Sequence, residues 1–275
     1  MSKIHNTSII SSKANIADNV EIGPYCIIGD QVEIASNTVI GSHSVIEGNT
    51  KIGSDCKIYS HVSIGGEPQD LSYKSENTET IIGNKVTLRE FVTVHRGTAK
   101  GRGKTEILDN CFLMNYVHIG HDCRIGENCI IANGSSLAGH VILSNNVNIS
   151  ALYLAHQFVE IGELVMASGM SGTRKSIPPY VLVEGRPSRI MKINTIGLQR
   201  AGFSKDLIRL ISQAYKLIQK KEIKVALAEI KEMTTPEFQQ LKNITDFYDR
   251  MLNSSRGIVS FLALDNEDMV SNNNN

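Results

Sequence analysis

An aliphatic residue returns at every sixth position of this chain, at Ile10, Ile16, Ile22, Ile28, Ile34, Ile40, Ile46, Ile52, Ile58 and Ile64. The series resumes at Ile82, Leu88 and Val94. It runs again through Ile107, Leu113, Ile119, Ile125, Ile131, Leu137, Leu143, Ile149, Ala155 and Ile161. An α-helix cannot keep a six-residue period on one face, so an amphipathic helix is excluded. Six residues suit one short strand and a tight corner. Glycine often follows the aliphatic residue, as at Gly23, Gly29, Gly41, Gly53, Gly120 and Gly126, and is expected to relieve the backbone of that corner. Three hexads close a triangular coil of eighteen residues, and stacked coils bury one continuous aliphatic column.

The chain has 275 residues, enough for a large domain and a smaller one. Its 28 basic and 28 acidic residues cancel, so no global charge points to nucleic acid or a membrane surface. The N-terminal stretch MSKIHNTSII lacks a signal-peptide core, and no apolar run approaches a membrane span of about 18 residues. These features lead to the expectation of a cytoplasmic protein without integral membrane contact. Cys26, Cys56, Cys111, Cys123 and Cys129 each follow a repeat aliphatic by four positions, where valine, threonine or serine stands elsewhere. They read as small buried residues rather than ligands or disulfide partners.

Two polar stretches, 66–80 and 97–106, interrupt the repeat and read as loops leaving a rigid scaffold, a common place for function. The β-helix is expected over 1–189, an α-helical domain over 190–264 and a disordered tail over 265–275. Ser204 is placed to N-cap a helix bearing Leu207, Ile208, Ile211, Tyr215 and Ile218, and Thr235-Pro236 marks another helix start.

Positions eighteen apart stack on adjacent coils, roughly 4.8 Å apart. His121, Gly139 and Gln157 therefore share one place, and Asp122, His140 and Phe158 share the next. With His118 close by, histidines gather on one edge that is expected to point outward. Residues alone leave three readings open. The cluster could be a solvated patch, a metal site drawing on His95, His118, His121 and His140, or an acid–base centre working near neutral pH.

Several segments narrow the choice: QDLSY (69–73), TVHRGT (93–98), NYVHIGHDC (115–123), LAGH (137–140), AHQF (155–158), IPPYVLVEG (177–185) and GLQRAGFS (197–204). In this order they resemble the UDP-N-acetylglucosamine O-acyltransferases of lipid A biosynthesis, within the hexapeptide-repeat acyltransferases. The resemblance implies a mainly β fold, a left-handed parallel β-helix followed by α-helices. It also implies transfer of a long 3-hydroxyacyl chain from acyl carrier protein to the 3-hydroxyl of UDP-N-acetylglucosamine, or to the amine of a 3-amino analogue, by a homotrimer. No nucleic acid, metal or cofactor is implied. The same resemblance makes His121 the general base, Asp122 its orienting partner and Gly139 the oxyanion donor. Gln69, Asp70, His118, His140, His156, Gln157, Asn194 and Arg200 become substrate-binding residues, and Gly169 the acyl-chain ruler. Ser72, Ile196 and Ala201 depart from the family's usual charged residues, although Lys74 follows closely. Arg174-Lys175 and the stripe Arg209, Lys216 and Lys220 would offer an acidic carrier protein a basic landing surface. Related readings are the pathway's N-acyltransferase, which usually carries a further domain before the repeats, and a γ-class zinc carbonic anhydrase.

Overall fold

The computed structural model describes residues 2–252 and 254–262. The six-residue period becomes a left-handed parallel β-helix. Its three sheets have eleven, nine and eight strands, most of them two residues long. Within each sheet most strands pair in parallel with the strand eighteen residues on, as Ile22 with Ile40 and Ile119 with Leu137. The pairing survives the polar insertions, because Ile52 pairs with Ile82 and Ile82 with Ile107. The repeat aliphatics point inward and are buried from Ile22 to Ala167.

The corners give glycine a different duty from the one expected. The left-handed residue stands three places after the aliphatic and is seldom glycine: Asn19, Tyr25, His43, Asp122, His140 and Phe158 all have φ near +60°. Such a conformation costs L-residues roughly 1–2 kcal/mol each. The corner offsets that cost with a backbone bond to the coil before, as from His43 N–H to Pro24 O and from His61 N–H to Ser42 O. The glycine directly after the aliphatic instead allows coils to approach. A Cβ on Gly53 would lie 2.6 Å from the carbonyl of Gly83 in the next coil.

All five cysteines are buried and free. They are more than filling, because each thiol reaches a corner carbonyl one coil on, such as Cys26 Sγ to Gly41 O at 3.1 Å and Cys123 Sγ to Ala138 O at 3.1 Å. Thr38 and Ser44 hydroxyls donate to the equivalent carbonyls of Gly53 and Tyr59. Cysteine, serine and threonine interchange there because each is small and carries a donor.

The sheet continues past residue 189, since Val181–Gly185 and Ser188–Ile193 form an antiparallel hairpin on the last coil. Four helices follow: α1 (Thr195–Arg200), α2 (Lys205–Lys220), α3 (Ile223–Met233) and α4 (Leu241–Met251). Ser204 caps α2 by accepting from Leu207 N–H at 3.1 Å, and Leu207, Ile211, Ala214 and Tyr215 form its buried face. Thr235-Pro236 opens a short 3₁₀ turn ahead of α4. The chain then returns to the hairpin, where Ile190 and Phe261 form a β-bridge. The tail over 265–275 lies outside the described residues. Among the described residues, no helix is long and apolar enough to cross a membrane.

Close approach between coils yields a direct test. Gly53→Ala should lower unfolding free energy by about 1–3 kcal/mol, because its methyl meets backbone that cannot swing away. Urea denaturation showing an unchanged midpoint would remove this account of the glycine.

Candidate functional site

Both polar insertions leave the prism at the same edge, between the second and third sheets. The first joins Ser63–Gly66 to Glu79–Ile82, and the second joins Thr93–His95 to Lys104–Ile107. The next three corners on that edge are His121-Asp122, Gly139-His140 and Gln157-Phe158. Loop and histidine column thus form one continuous feature.

This edge is not the open surface that the corner geometry led us to expect. Asp122 is fully buried, and the side chains of His121 and His140 are only 14% and 20% exposed. The loop over 97–106 accounts for the difference. Asp122 accepts from Thr98 N–H, from the Thr98 hydroxyl at 2.7 Å and from Arg102 N–H at 2.8 Å. Its own N–H, with no regular corner beneath it, donates to Thr105 Oγ1 at 2.8 Å. Burial pushes the Asp122 carboxyl up, but hydrogen bonds from His121 and Thr98 outweigh it and hold the group below its ordinary value.

His121 Nδ1–H donates to Asp122 Oδ2 at 2.8 Å, which leaves Nε2 without a protein partner among the described residues. The ring lies against the next coil, and a Cβ on Gly139 would sit 2.5 Å from His121 Nε2. Glycine is therefore required at 139 to leave room for the imidazole itself. The backbone is fixed from above, since His140 N–H donates to His121 O at 2.9 Å and Phe158 N–H to Gly139 O at 3.2 Å. Gly139 N–H has no protein acceptor among the described residues. On the neighbouring edge, by contrast, the equivalent N–H groups of Ser54 and Asn84 are taken by Asn84 and Asp109 side chains.

His140 crosses His121 edge-on at 5.0 Å and stacks on Phe158 at 4.3 Å, a contact that residue types alone did not single out. Burial lowers the pKa of His140, partly offset by Asp122. His118 is also lowered by burial, and its Nδ1 pairs with Thr93 Oγ1 at 2.8 Å. Asp70 comes from the first loop, its carboxyl held low by the N–H of Ser72, and it feels the charges of His121 and Lys100. Ser72 thus serves this loop through its backbone. Gln69 beside it is exposed, as is Gln157, while His156 is half-buried.

The remaining expected residues lie elsewhere on the chain. Asn194 spends its side chain capping α1 through Gly197 N–H at 3.1 Å and donating to Leu164 O at 2.8 Å, on the edge between the third and first sheets. Arg200, Ile196 and Ala201 are exposed at the same end. Gly169 lies on the edge between the first and second sheets, where an added Cβ would meet Ala151 O at 3.2 Å. One chain therefore divides the expected site among its three edges.

A cavity of about 910 Å³ opens beside the column, bordered by His156 and floored by Ala138 and Leu154. Arg174, Lys175, Arg186 and Arg189 stand around it, all exposed. One ligand atom each from His121, Asp122 and His140 falls within 4.8 Å, which is metal-site spacing. Both Asp122 oxygens and His121 Nδ1 are, however, already engaged with protein partners.

His95, half-buried edge-on to His118, carries an Nδ1 without a partner. Burial, aided by His118, His121 and Arg96, lowers its pKa from 6.5 to about 4. The unfolded chain takes up this proton near pH 6.5 and the folded chain only near 4, so stability falls as the pH drops through that window. Urea titrations at pH 7 and pH 5 should show a loss that shrinks in His95→Gln. An undiminished loss would assign the acid sensitivity to other groups.

Comparison with known proteins places these features. The family model described as "Udp N-acetylglucosamine O-acyltransferase; Domain 2" matches residues 177–259, and the bacterial transferase hexapeptide model matches 31–66 and 104–139. The acyl-[acyl-carrier-protein]–UDP-N-acetylglucosamine O-acyltransferase of Paraburkholderia phymatum is 45% identical over 94% of this chain and 100% of its own. That of Anaeromyxobacter dehalogenans is 45% identical over 93% of this chain and 98% of its own. The solved structure of UDP-N-acetylglucosamine acyltransferase from Campylobacter jejuni superimposes with a TM-score of 0.87 at 36% identity, over 94% of this chain and 100% of its own.

Proposed function

The chain belongs to the UDP-N-acetylglucosamine O-acyltransferases, and from that premise we propose how its own residues carry the reaction. It is an acyltransferase that moves a 3-hydroxyacyl chain from acyl carrier protein to UDP-N-acetylglucosamine, in lipid A biosynthesis. The observation that supports our assignment of roles is the position of His121, with Nδ1–H held by Asp122 and Nε2 facing the space over Gly139.

In the proposed step the sugar 3-hydroxyl attacks the thioester carbonyl while its proton passes to His121 Nε2. The carbonyl oxygen becomes an oxyanion and receives Gly139 N–H, a donor with no protein acceptor among the described residues. Collapse of the tetrahedral intermediate breaks the carbon–sulfur bond, and the imidazolium returns its proton to the departing thiolate. The products are the 3-O-acyl sugar nucleotide and the free thiol of the carrier. Burial that keeps His140 and His118 toward their neutral forms suits them to hydrogen-bond sugar hydroxyls. Asp70 and Gln69, carried to the same edge by the first loop, complete the sugar side. His156 and Gln157 meet the donor.

The cavity beside Ala138 suits the donor's arm. Its floor accepts an apolar chain, and its four cations face the arm's phosphodiester and the carrier's acidic surface. Arg209, Lys216 and Lys220, all exposed on α2, would offer the carrier further positive charge.

Dispersal of Asn194, Arg200 and Gly169 over other edges supports a homotrimer, in which the edge of one prism faces another edge of its neighbour. Tyr25, Phe91, Tyr116, Leu152 and Met170 leave large exposed apolar surfaces along the edge that carries Gly169, as association between prisms requires. Gly169 would then leave the acyl groove open to a long chain, in a protein of the cytoplasm.

The test of the chemistry is an acyl-transfer assay with UDP-N-acetylglucosamine, its 3-amino analogue and a panel of 3-hydroxyacyl carrier thioesters. His121→Ala should lose on the order of 10²–10⁴ in turnover with acceptor binding intact. Retained turnover would remove His121 as the base. The assembly is tested by light scattering, where a fully active monomer of about 30 kDa would contradict a site shared between chains.

A further inference from the structure

We propose that Thr98 is a positioning residue for the reaction. Its hydroxyl and backbone N–H lock the Asp122 carboxylate, so that His121 keeps its proton on Nδ1 and its Nε2 free. This inference rests on the roles proposed above for His121 and Asp122.

The carboxylate has about four lone-pair positions. Four donors fill them: His121 Nδ1–H at 2.8 Å, the Thr98 hydroxyl at 2.7 Å, Thr98 N–H shared between both oxygens at 3.1 Å, and Arg102 N–H at 2.8 Å. A saturated, fully buried carboxylate has no capacity left for a substrate hydroxyl and no freedom to turn. Its hydrogen bonding to a side-chain ring goes to the His121 imidazole alone among the described residues, with His140 Nε2 farther off at 3.8 Å. Thr98 supplies two of the four donors and is 4% exposed.

The loop around Thr98 is built to hold that geometry. Thr98 O accepts from both Gly101 N–H and Gly103 N–H at 3.1 Å, which closes the turn. Arg102 pairs with Glu106 and so ties the turn to the adjoining strand. Thr105, further along the same segment, takes Asp122 N–H. Gly101 packs against the carboxylate, where a Cβ would fall 2.4 Å from Asp122 Cγ. Its φ lies outside the left-handed region, so alanine at 101 would be admissible but for that carboxylate. Backbone and hydroxyl donors carry no charge that titrates, so the clamp works across the pH range in which the imidazole must act.

Without the Thr98 hydroxyl, Asp122 Oδ2 loses a donor in a buried site and can rotate, freeing His121 to exchange tautomers. Thr98→Val should therefore lower kcat roughly tenfold or more with the KM for UDP-N-acetylglucosamine unchanged, and Thr98→Ser should restore it. Imidazole nitrogen shifts of ¹⁵N-histidine-labelled protein, assigned by comparison with His121→Asn, should show a single Nδ1–H tautomer in wild type. Thr98→Val should show a mixture. Gly101→Ala, which pushes on the carboxylate while keeping the Thr98 hydroxyl, should give the same two signatures. It decides the question if the valine variant does not fold. An unchanged kcat together with an unchanged His121 tautomer in the folded variants overturns the inference. Wild-type protein without acyl-transfer activity would instead overturn the reaction assigned above, whatever the tautomer shows.

Discussion

The molecule depends on one constraint, the in-register pairing of each strand with its equivalent eighteen residues later. That register stacks like on like. Aliphatic residues fall on aliphatic residues inside, donors at the cysteine, serine and threonine positions fall beneath corner carbonyls, and left-handed residues form columns along the edges. A slip of one residue would turn every aliphatic outward. The glycines that follow the aliphatics matter for the same reason, since they let successive coils reach hydrogen-bonding distance at the corners. Where extra residues enter, they must leave at a corner and return to the same register. Ile52 opposite Ile82 and Ile82 opposite Ile107 show that they do.

The fold was legible because this constraint writes itself into the sequence as a period. Ile10 to Ile64 is enough to exclude helices, and the shift to helical spacing beyond Ser204 is equally plain. The stacking of His121 on Gly139 and of Asp122 on His140 follows from the same counting. The burial of Asp122 does not. It is produced by residues 97–106, whose path has no period, and nothing in GTAKGRGKTE announces that its amides converge on a carboxylate. Thr98, Gly101 and Arg102 were missed for that reason, although both insertions fall between the same pair of sheets in successive coils, a signal that counting could have found. Asn194 reads as a ligand by resemblance, but in this chain its amide is occupied as a helix cap. In the proposed homotrimer a neighbouring chain would bring it to the histidines.

The electrostatics of the edge divide into groups that must stay charged and groups that must stay neutral. Asp122 is buried, yet remains ionised because donors surround it. His140, His118 and His95 meet the same burial without such donors and are driven toward the neutral form. His121 stands between the two sets, with its Nδ1–H on the Asp122 carboxylate.

A parallel β-helix has a specific advantage for this chemistry. The proposed base and oxyanion donor, His121 and Gly139, belong to adjacent coils, so their separation is set by the spacing of hydrogen-bonded strands rather than by a flexible loop. His121 O and Gly139 O are each tied to the following coil, which leaves little play in either backbone. An enzyme that places these groups on separate loops must freeze them when substrate binds, and the ordering cost is then taken from binding energy. Here that order is already present in the folded chain, held by the same register that buries the isoleucine column. What the register cannot supply is the rotation of the imidazole about its own side-chain bonds. Asp122 at the corner holds the ring, and the non-repeating loop is where the chain supplies the donors that hold Asp122.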